Sequence, residues 1–289
     1  MGKVRVGMCQ LRVVYGDAED NLARAAGLVR DAASQGADIC VIPECADLGW
    51  ANPHALELAS PIPGPVSDAY CAMARENGVY VVAGITERDG ERAYNAAILV
   101  SPEGEILFKH RKINVLTGVE DVYSVGDRLG VTETKLGKIG IDICADNWKQ
   151  SLPIGHALAR MGAQIILSPS SWAVLPDRDL AKNPFGSTWT IPYEELSRIY
   201  GIPVVGEQRR ARHRGQLGGP QGHWRLHRLR QQRRDALHAP LRRGPGVRAR
   251  RGGRGPRARA QRHRARRLRL RAAEGAWWRG VTVRQPARG

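Results

Sequence analysis

The sequence predicts an α/β fold over residues 1–207, and three observations carry that prediction. Apolar, strand-like runs alternate with amphipathic helical stretches along the chain. Several of those runs are apolar throughout, as strands covered on both faces require. No apolar stretch reaches the length needed to span a bilayer. The strands therefore suit burial within two packed layers.

The elements follow in order. Val4–Leu11 reads as a strand. Asp17–Ala33 reads as an amphipathic helix with Leu22, Ala25, Ala26 and Val29 on one face. Asp38–Pro43 is a continuous apolar run, expected of a buried strand. Pro65–Asn77 is a second helix, with Pro at its start, and Val79–Gly84 another strand. Ala93–Val100, the turn Ser101-Pro-Glu-Gly104 and Glu105–Lys109 form a hairpin. Lys138–Cys144 is a strand, Ser151–Met161 a helix and Gln164–Ser168 a strand. Trp189–Tyr200 is a helix and Pro203–Val205 a last strand. About 207 ordinary residues suit one domain, and no internal repeat is visible.

Beyond Glu207 the composition changes abruptly. The whole chain carries a formal charge of +17, yet residues 208–289 hold 26 of the 45 basic residues and only 2 of the 28 acidic ones. Every basic side chain of the tail other than His is Arg, and the tail lacks Lys, Ile, Asn, Phe, Tyr, Met, Cys and Ser. The pI near 10.4 thus describes the tail, not the part that precedes it. Two readings fit. One is a disordered arm that binds phosphates through Arg and stacks bases on Trp224, Trp277 and Trp278. The other is out-of-frame translation of a GC-rich gene, which depletes residues with AT-rich codons. Advancing the codons from Glu207 by one nucleotide permits a turn and then a strand-like run, Gly-Ile-Gly-Gly-Ser-Ile-Ala-Tyr. The composition favours the second reading. It divides the chain into a domain over 1–207 and a disordered, Arg-rich segment over 208–289.

All five Cys residues (Cys9, Cys40, Cys45, Cys71 and Cys144) precede that break. An odd number without C-x-x-C spacing fits reduced thiols in a cytoplasm. The start reads as a strand without an h-region, so no signal peptide is expected, and Val6 stands where a myristoylation motif wants Ser or Thr. His54, His110 and His156 do not show metal-ligand spacing.

Three segments end strands with reactive groups. Glu44, in Val41-Ile-Pro-Glu44-Cys, follows a buried strand, where desolvation raises a carboxyl pKa toward that of a useful base. Lys112 ends the hairpin strand in Phe108-Lys-His-Arg-Lys112. Cys144, in Ile139-Gly-Ile-Asp-Ile-Cys144-Ala-Asp146, lies where free backbone N–H groups favour a thiolate and an oxyanion. Each alone has an ordinary alternative: a surface acid, a solvated lysine, a small core cysteine. Cys45 either lines a pocket or is a buried neighbour, and Asp146 is expected to bond nearby backbone rather than substrate.

As an ordered set these segments resemble the nitrilase superfamily, the carbon–nitrogen hydrolases. The matching text is Pro43-Glu44, Tyr94-Asn-Ala-Ala-Ile-Leu-Val-Ser-Pro-Glu-Gly-Glu105, His110-Arg-Lys112 and Gly140-Ile-Asp-Ile-Cys144-Ala-Asp146, within residues 3–206. The resemblance implies a four-layer α-β-β-α sandwich, incomplete at its C-terminus because further strands should follow Val205. It implies Cys144 as nucleophile, Glu44 as general base and Lys112 as the cation facing the oxyanion. Glu120, in Thr117-Gly-Val-Glu-Asp, resembles a second, positioning glutamate. Ala145 would border the substrate, replacing a larger residue, and Gln150 replaces a Glu. Trp172, after Ser168-Pro-Ser-Ser, either walls the substrate site or packs in the core. The implied reaction is amide hydrolysis through a thioester with release of ammonia. A nitrile or N-carbamoyl substrate fits the same residues. The implied protein uses no metal or other cofactor, acts on a small amide or nitrile, and assembles as a homodimer or larger. Nucleic-acid binding through the tail and an inactive product are the alternatives.

Overall fold

Two β-sheets lie face to face, each with helices on its outer side. The computed structural model describes residues 3–172, 182, 187–208 and 277–284. The first sheet holds β1 (Lys3–Gln10), β2 (Ile39–Ile42), β3 (Tyr80–Asp89), β4 (Arg92–Val100), β5 (Ile106–Arg111) and β10 (Trp277–Arg284), in the order β10-β1-β2-β3-β4-β5. The second holds β6 (Val131–Thr134), β7 (Gly137–Ile141), β8 (Ile165–Ser170) and β9 (Val204–Gln208), in chain order. Helices α1 (Ala18–Ser34) and α3 (Pro65–Asn77) cover the first sheet; α4 (Leu152–Arg160) and α5 (Ser187–Tyr200) cover the second. A single turn, α2 (Ala55–Leu58), precedes α3. This is the four-layer sandwich.

The alternation along β2 shows why the strand reads as one apolar run. Ile39 and Val41 face the second sheet, in a core with Val6, Val82, Leu99, Ile141, Ile143 and Leu167. Cys40 and Ile42 face the helices, among Leu28, Val29, Tyr70 and Val81. Both faces are dry, so both need apolar side chains. Each fully buried Ile, Leu or Val contributes about 1.5–3 kcal/mol to the fold.

Local signals fix the ends of the elements. Asp17 caps α1 by accepting from the Asp20 N–H at 3.1 Å. Pro65 opens α3 and Gly78, at φ 62°, closes it in the left-handed region. In the β4–β5 turn Gly104 adopts φ 84° and its N–H donates to the Ser101 carbonyl at 2.9 Å. Strand β3 runs beyond the predicted Gly84 to Asp89, because it pairs with β4 along its whole length up to Asp89↔Arg92.

The sequence reading places no ordered element beyond residue 207, and one segment corrects it. Trp277–Arg284 forms β10, antiparallel to β1, from Lys3↔Arg284 to Gln10↔Trp277. The run Trp-Trp-Arg-Gly-Val-Thr-Val carries enough β-favouring residues to complete a sheet edge, which the Arg-rich average concealed. The remaining tail expectations, for 209–276 and 285–289, lie outside the described residues. Among the described residues no helix is long and apolar enough to cross a membrane. No group of three or more His, Cys, Asp or Glu among them could hold a metal ion. All five cysteines are free.

Candidate active site

The site forms at the seam where strand ends of the two sheets meet. From the first sheet, Glu44 follows β2 and Lys112 follows β5. Glu44 crosses directly over β3. A Cβ on Gly84 would lie 2.4 Å from the Pro43 carbonyl oxygen and 2.5 Å from the Glu44 Cα, so only glycine permits that approach. Lys112 is held by its own backbone: its N–H donates to the Asn95 carbonyl at 2.8 Å, and its carbonyl accepts from Gly126 at 2.8 Å.

Glu44, Lys112 and Glu120 are all fully buried and form one charged cluster. The Lys112 ammonium donates to Glu44 Oε1 at 2.8 Å and to Glu120 Oε1 at 2.7 Å. Asn95 Nδ2 reaches the same two oxygens, at 2.7 and 3.3 Å. Trp50 Nε1 donates to Glu120 Oε1 at 2.5 Å, and the Leu116 N–H holds Glu120 Oε2 at 2.8 Å. Glu44 Oε2 is buried and has no partner among the described residues. Burial raises the Glu44 carboxyl above its usual pKa, and the Lys112 charge opposes that rise only in part. Burial works against the Lys112 ammonium, but Glu120 and Glu44 outweigh it and hold its pKa well above the ordinary range.

The second sheet supplies Cys144, at the start of a 3₁₀ turn, Cys144–Asn147, beyond β7. Its φ of 47° lies in the left-handed region, where a non-glycine residue is strained. Cys144 is 3% exposed and packs in the core between the sheets. Burial pushes its thiol well above the ordinary pKa, and the Glu44 charge pushes the same way, while Lys112 and a backbone hydrogen bond from Ser171 lower it. The resting group is therefore a thiol.

Asp146 clamps the two halves. Its Oδ1 accepts from the Ile113 and Asn114 N–H groups at 3.1 and 2.7 Å, and its Oδ2 from the Ile143 N–H at 3.0 Å. His110 Nε2 lies 2.9 Å from the same Oδ2, with both side chains fully buried. The nearby backbone bond expected from sequence is the one to Ile143; the bonds to Ile113, Asn114 and His110 reach across the seam.

The other predicted residues fall around this centre. Ala145 is buried, and its carbonyl accepts from Asn114 Nδ2 at 2.6 Å and Ser151 Oγ at 2.5 Å. Trp172 packs against the inter-sheet core and stacks on Trp148, ring centroids 6.1 Å apart. Cys45 is a buried neighbour, its Sγ 3.6 Å from the Tyr123 hydroxyl. Gln150 is exposed.

The sequence profile described as Carbon-nitrogen hydrolase matches residues 5–184, more than half of the chain. The chain belongs to the carbon–nitrogen hydrolase family. It is 33% identical over 182 residues to the omega-amidase NIT2 of Danio rerio, covering 60% of this chain and 65% of that protein. It is 30% identical over 216 residues to a nitrilase of Pyrococcus abyssi, covering 71% and 79%. The chain therefore spans just under two thirds of the NIT2 relative. Its fold is similar to the carbon–nitrogen hydrolase of Helicobacter pylori G27, with a TM-score of 0.67, 22% identity and 76% of each chain covered. It is also similar to a mutant of the amidase from Nesterenkonia sp. AN1, with a TM-score of 0.61, 19% identity and 71% and 78% covered.

In this member of the family, sequence reasoning missed Asn95, Trp50 and the His110 contact. Asn95 lies inside the matched Tyr94–Glu105 text, where an Asn within a strand is the only hint. Trp50 meets Glu120 across 70 positions, and no local signal joins them.

Proposed function

We propose that this chain is an amidase-type hydrolase that uses Cys144, Glu44 and Lys112 through a thioester and releases ammonia. The observation that carries the reading is the buried ammonium of Lys112, bonded to both glutamates beside a buried cysteine. Glu44 Oε1 is engaged by Lys112 and Asn95, so Oε2 is the oxygen left to accept the Cys144 proton. Its raised pKa makes it a stronger base than a solvated carboxylate. An ammonium has three N–H donors, and Glu44 and Glu120 occupy two. The third serves the oxyanion that forms when Sγ attacks the amide carbon, together with the Ala145 N–H.

Collapse of that intermediate breaks the C–N bond, and Glu44 returns the proton to the departing nitrogen, giving ammonia and a Cys144 thioester. Glu44 then takes a proton from water; hydroxide adds to the thioester, and the acid leaves as the thiol is restored. Glu120 stays bonded to the buried Lys112 ammonium while Glu44 carries the proton, which gives Glu120 its role. The omega-amidase and nitrilase relatives narrow the substrate to a small amide or nitrile.

The test is ammonia release from a panel of small linear amides, nitriles and N-carbamoyl compounds, with mass spectrometry of the Cys144 peptide. The expected result is turnover of an amide and an acyl adduct on Cys144, both absent in Cys144→Ala. Turnover that persists in Cys144→Ala overturns the reading.

A further inference from the structure

The mechanism leaves unused one buried acid close to the nucleophile. Asp142 follows β7, two residues before Cys144, and is fully buried. Its Oδ1 accepts from Asn147 Nδ2 at 2.5 Å, and the same Nδ2 reaches Ser168 Oγ on β8 at 3.0 Å. Asn147 is the last residue of the turn that begins at Cys144. The contact therefore closes the turn: a residue ahead of Cys144 is tied to the turn's last residue, and both bond β8, Asp142 through its N–H to the Leu167 carbonyl and Asn147 to Ser168.

We propose that Asp142 is a positioning residue, which through Asn147 and Ser168 holds the strained turn carrying Cys144 in its reactive geometry. The inference rests on the amidase reading above and adds a residue to it. A backbone at φ 47° relaxes unless its surroundings fix it. On the other side Asp146 bonds the Ile143 N–H. On this side Asn147 Nδ2 donates to Asp142 Oδ1 and ties the end of the turn back to β7.

The protonation state of Asp142 matters to that grip. Its Oδ2 and the Asn147 Oδ1 are buried and without partner among the described residues. A neutral acid has an O–H to donate, whereas a carboxylate has only acceptors. The groups that act on it are Asp146 in the turn, His110 on β5 and Tyr193 on α5. Burial, with Asp146 adding to it, raises Asp142 to about 7, against the smaller effects of Ser168, Asn147 and His110. Ionisation as pH rises through that value places a second buried negative charge beside Asp146 and opposes the thiolate of Cys144.

The experiment uses the full chain as wild type, Asp142→Asn and Asp142→Ala. Iodoacetamide alkylation of Cys144, followed on its own peptide by mass spectrometry from pH 5.5 to 9, reads the nucleophile without any substrate. Ammonia release gives kcat and KM. In wild type the alkylation rate should rise less steeply above pH 7 than a lone thiol does, and Asp142→Asn should remove that inflection. Asp142→Asn should keep kcat at pH 6 within about threefold, and Asp142→Ala should lose at least about tenfold in kcat with KM within twofold. An unchanged inflection in Asp142→Asn overturns the proposal, as does an undiminished kcat in Asp142→Ala. If Asp142→Ala fails to fold, the Asp142→Asn profile decides alone. If no amide releases ammonia from wild type, the amidase reading fails while the alkylation arm still decides the role of Asp142.

Discussion

The two halves of the site are held in different ways. The half on the first sheet is electrostatic: Glu44, Lys112 and Glu120 neutralise one another, and Asn95 and Trp50 fill most of the remaining positions. The half on the second sheet is conformational: Cys144 sits in a left-handed turn fixed by Asp146 and by the Asp142–Asn147 contact. A substitution in the first half strands a charge in the dry interior. A substitution in the second disturbs geometry and leaves few charges unpaired. The same loss of activity should therefore come with different losses of stability.

The sharpest way to break that comparison is Cys144→Ala. It should lower turnover by on the order of 10⁴ or more, with a change in unfolding free energy below about 1.5 kcal/mol. Thermal and urea unfolding beside the ammonia assay read both. Lys112→Met should also lower kcat, by about 10²–10³, but it should cost about 3–5 kcal/mol as well, because two buried carboxylates lose their cation. A Lys112→Met protein as stable as Cys144→Ala would remove the distinction. Gly84→Ala sharpens it, since a Cβ there collides with the Pro43 carbonyl and the Glu44 Cα. We expect a loss of about 1–3 kcal/mol and a kcat reduced by about 10–100-fold, with alkylation of Cys144 nearly unaffected.

The smallest effect is a pH dependence. Asp142 has a native pKa of about 7 against an ordinary value of 3.8, so the native state binds its proton more tightly. Unfolding releases that proton between those values. The stability conferred by the shift is complete below about pH 4 and is lost as pH rises to about 7, a difference on the order of 4 kcal/mol. Asp47, raised by burial to about 6, acts in the same direction. Asp142→Asn should abolish the Asp142 share and keep that of Asp47, so its urea midpoint should fall less steeply from pH 4 to pH 8. A wild-type midpoint that rises across that window contradicts the assignment.

The sequence by itself determined the order of strands and helices, the three reactive strand ends and the break in composition at residue 208. Those are local properties. Apolar periodicity follows from which faces are covered, as at Ile39–Ile42, and Pro65 and Gly78 mark helix ends wherever the helix packs. Tertiary structure alone decided the rest. Lys112 meets Glu44 across 68 positions and Asp146 meets His110 across 36, and such pairs depend on sheet order and register. The raised pKa of Asp142 depends on burial between β7, β8 and α5, which its sequence neighbours do not encode. Strand β10 was hidden for the same reason: a short β-favouring run becomes a strand only where an open edge, here β1, accepts its backbone hydrogen bonds.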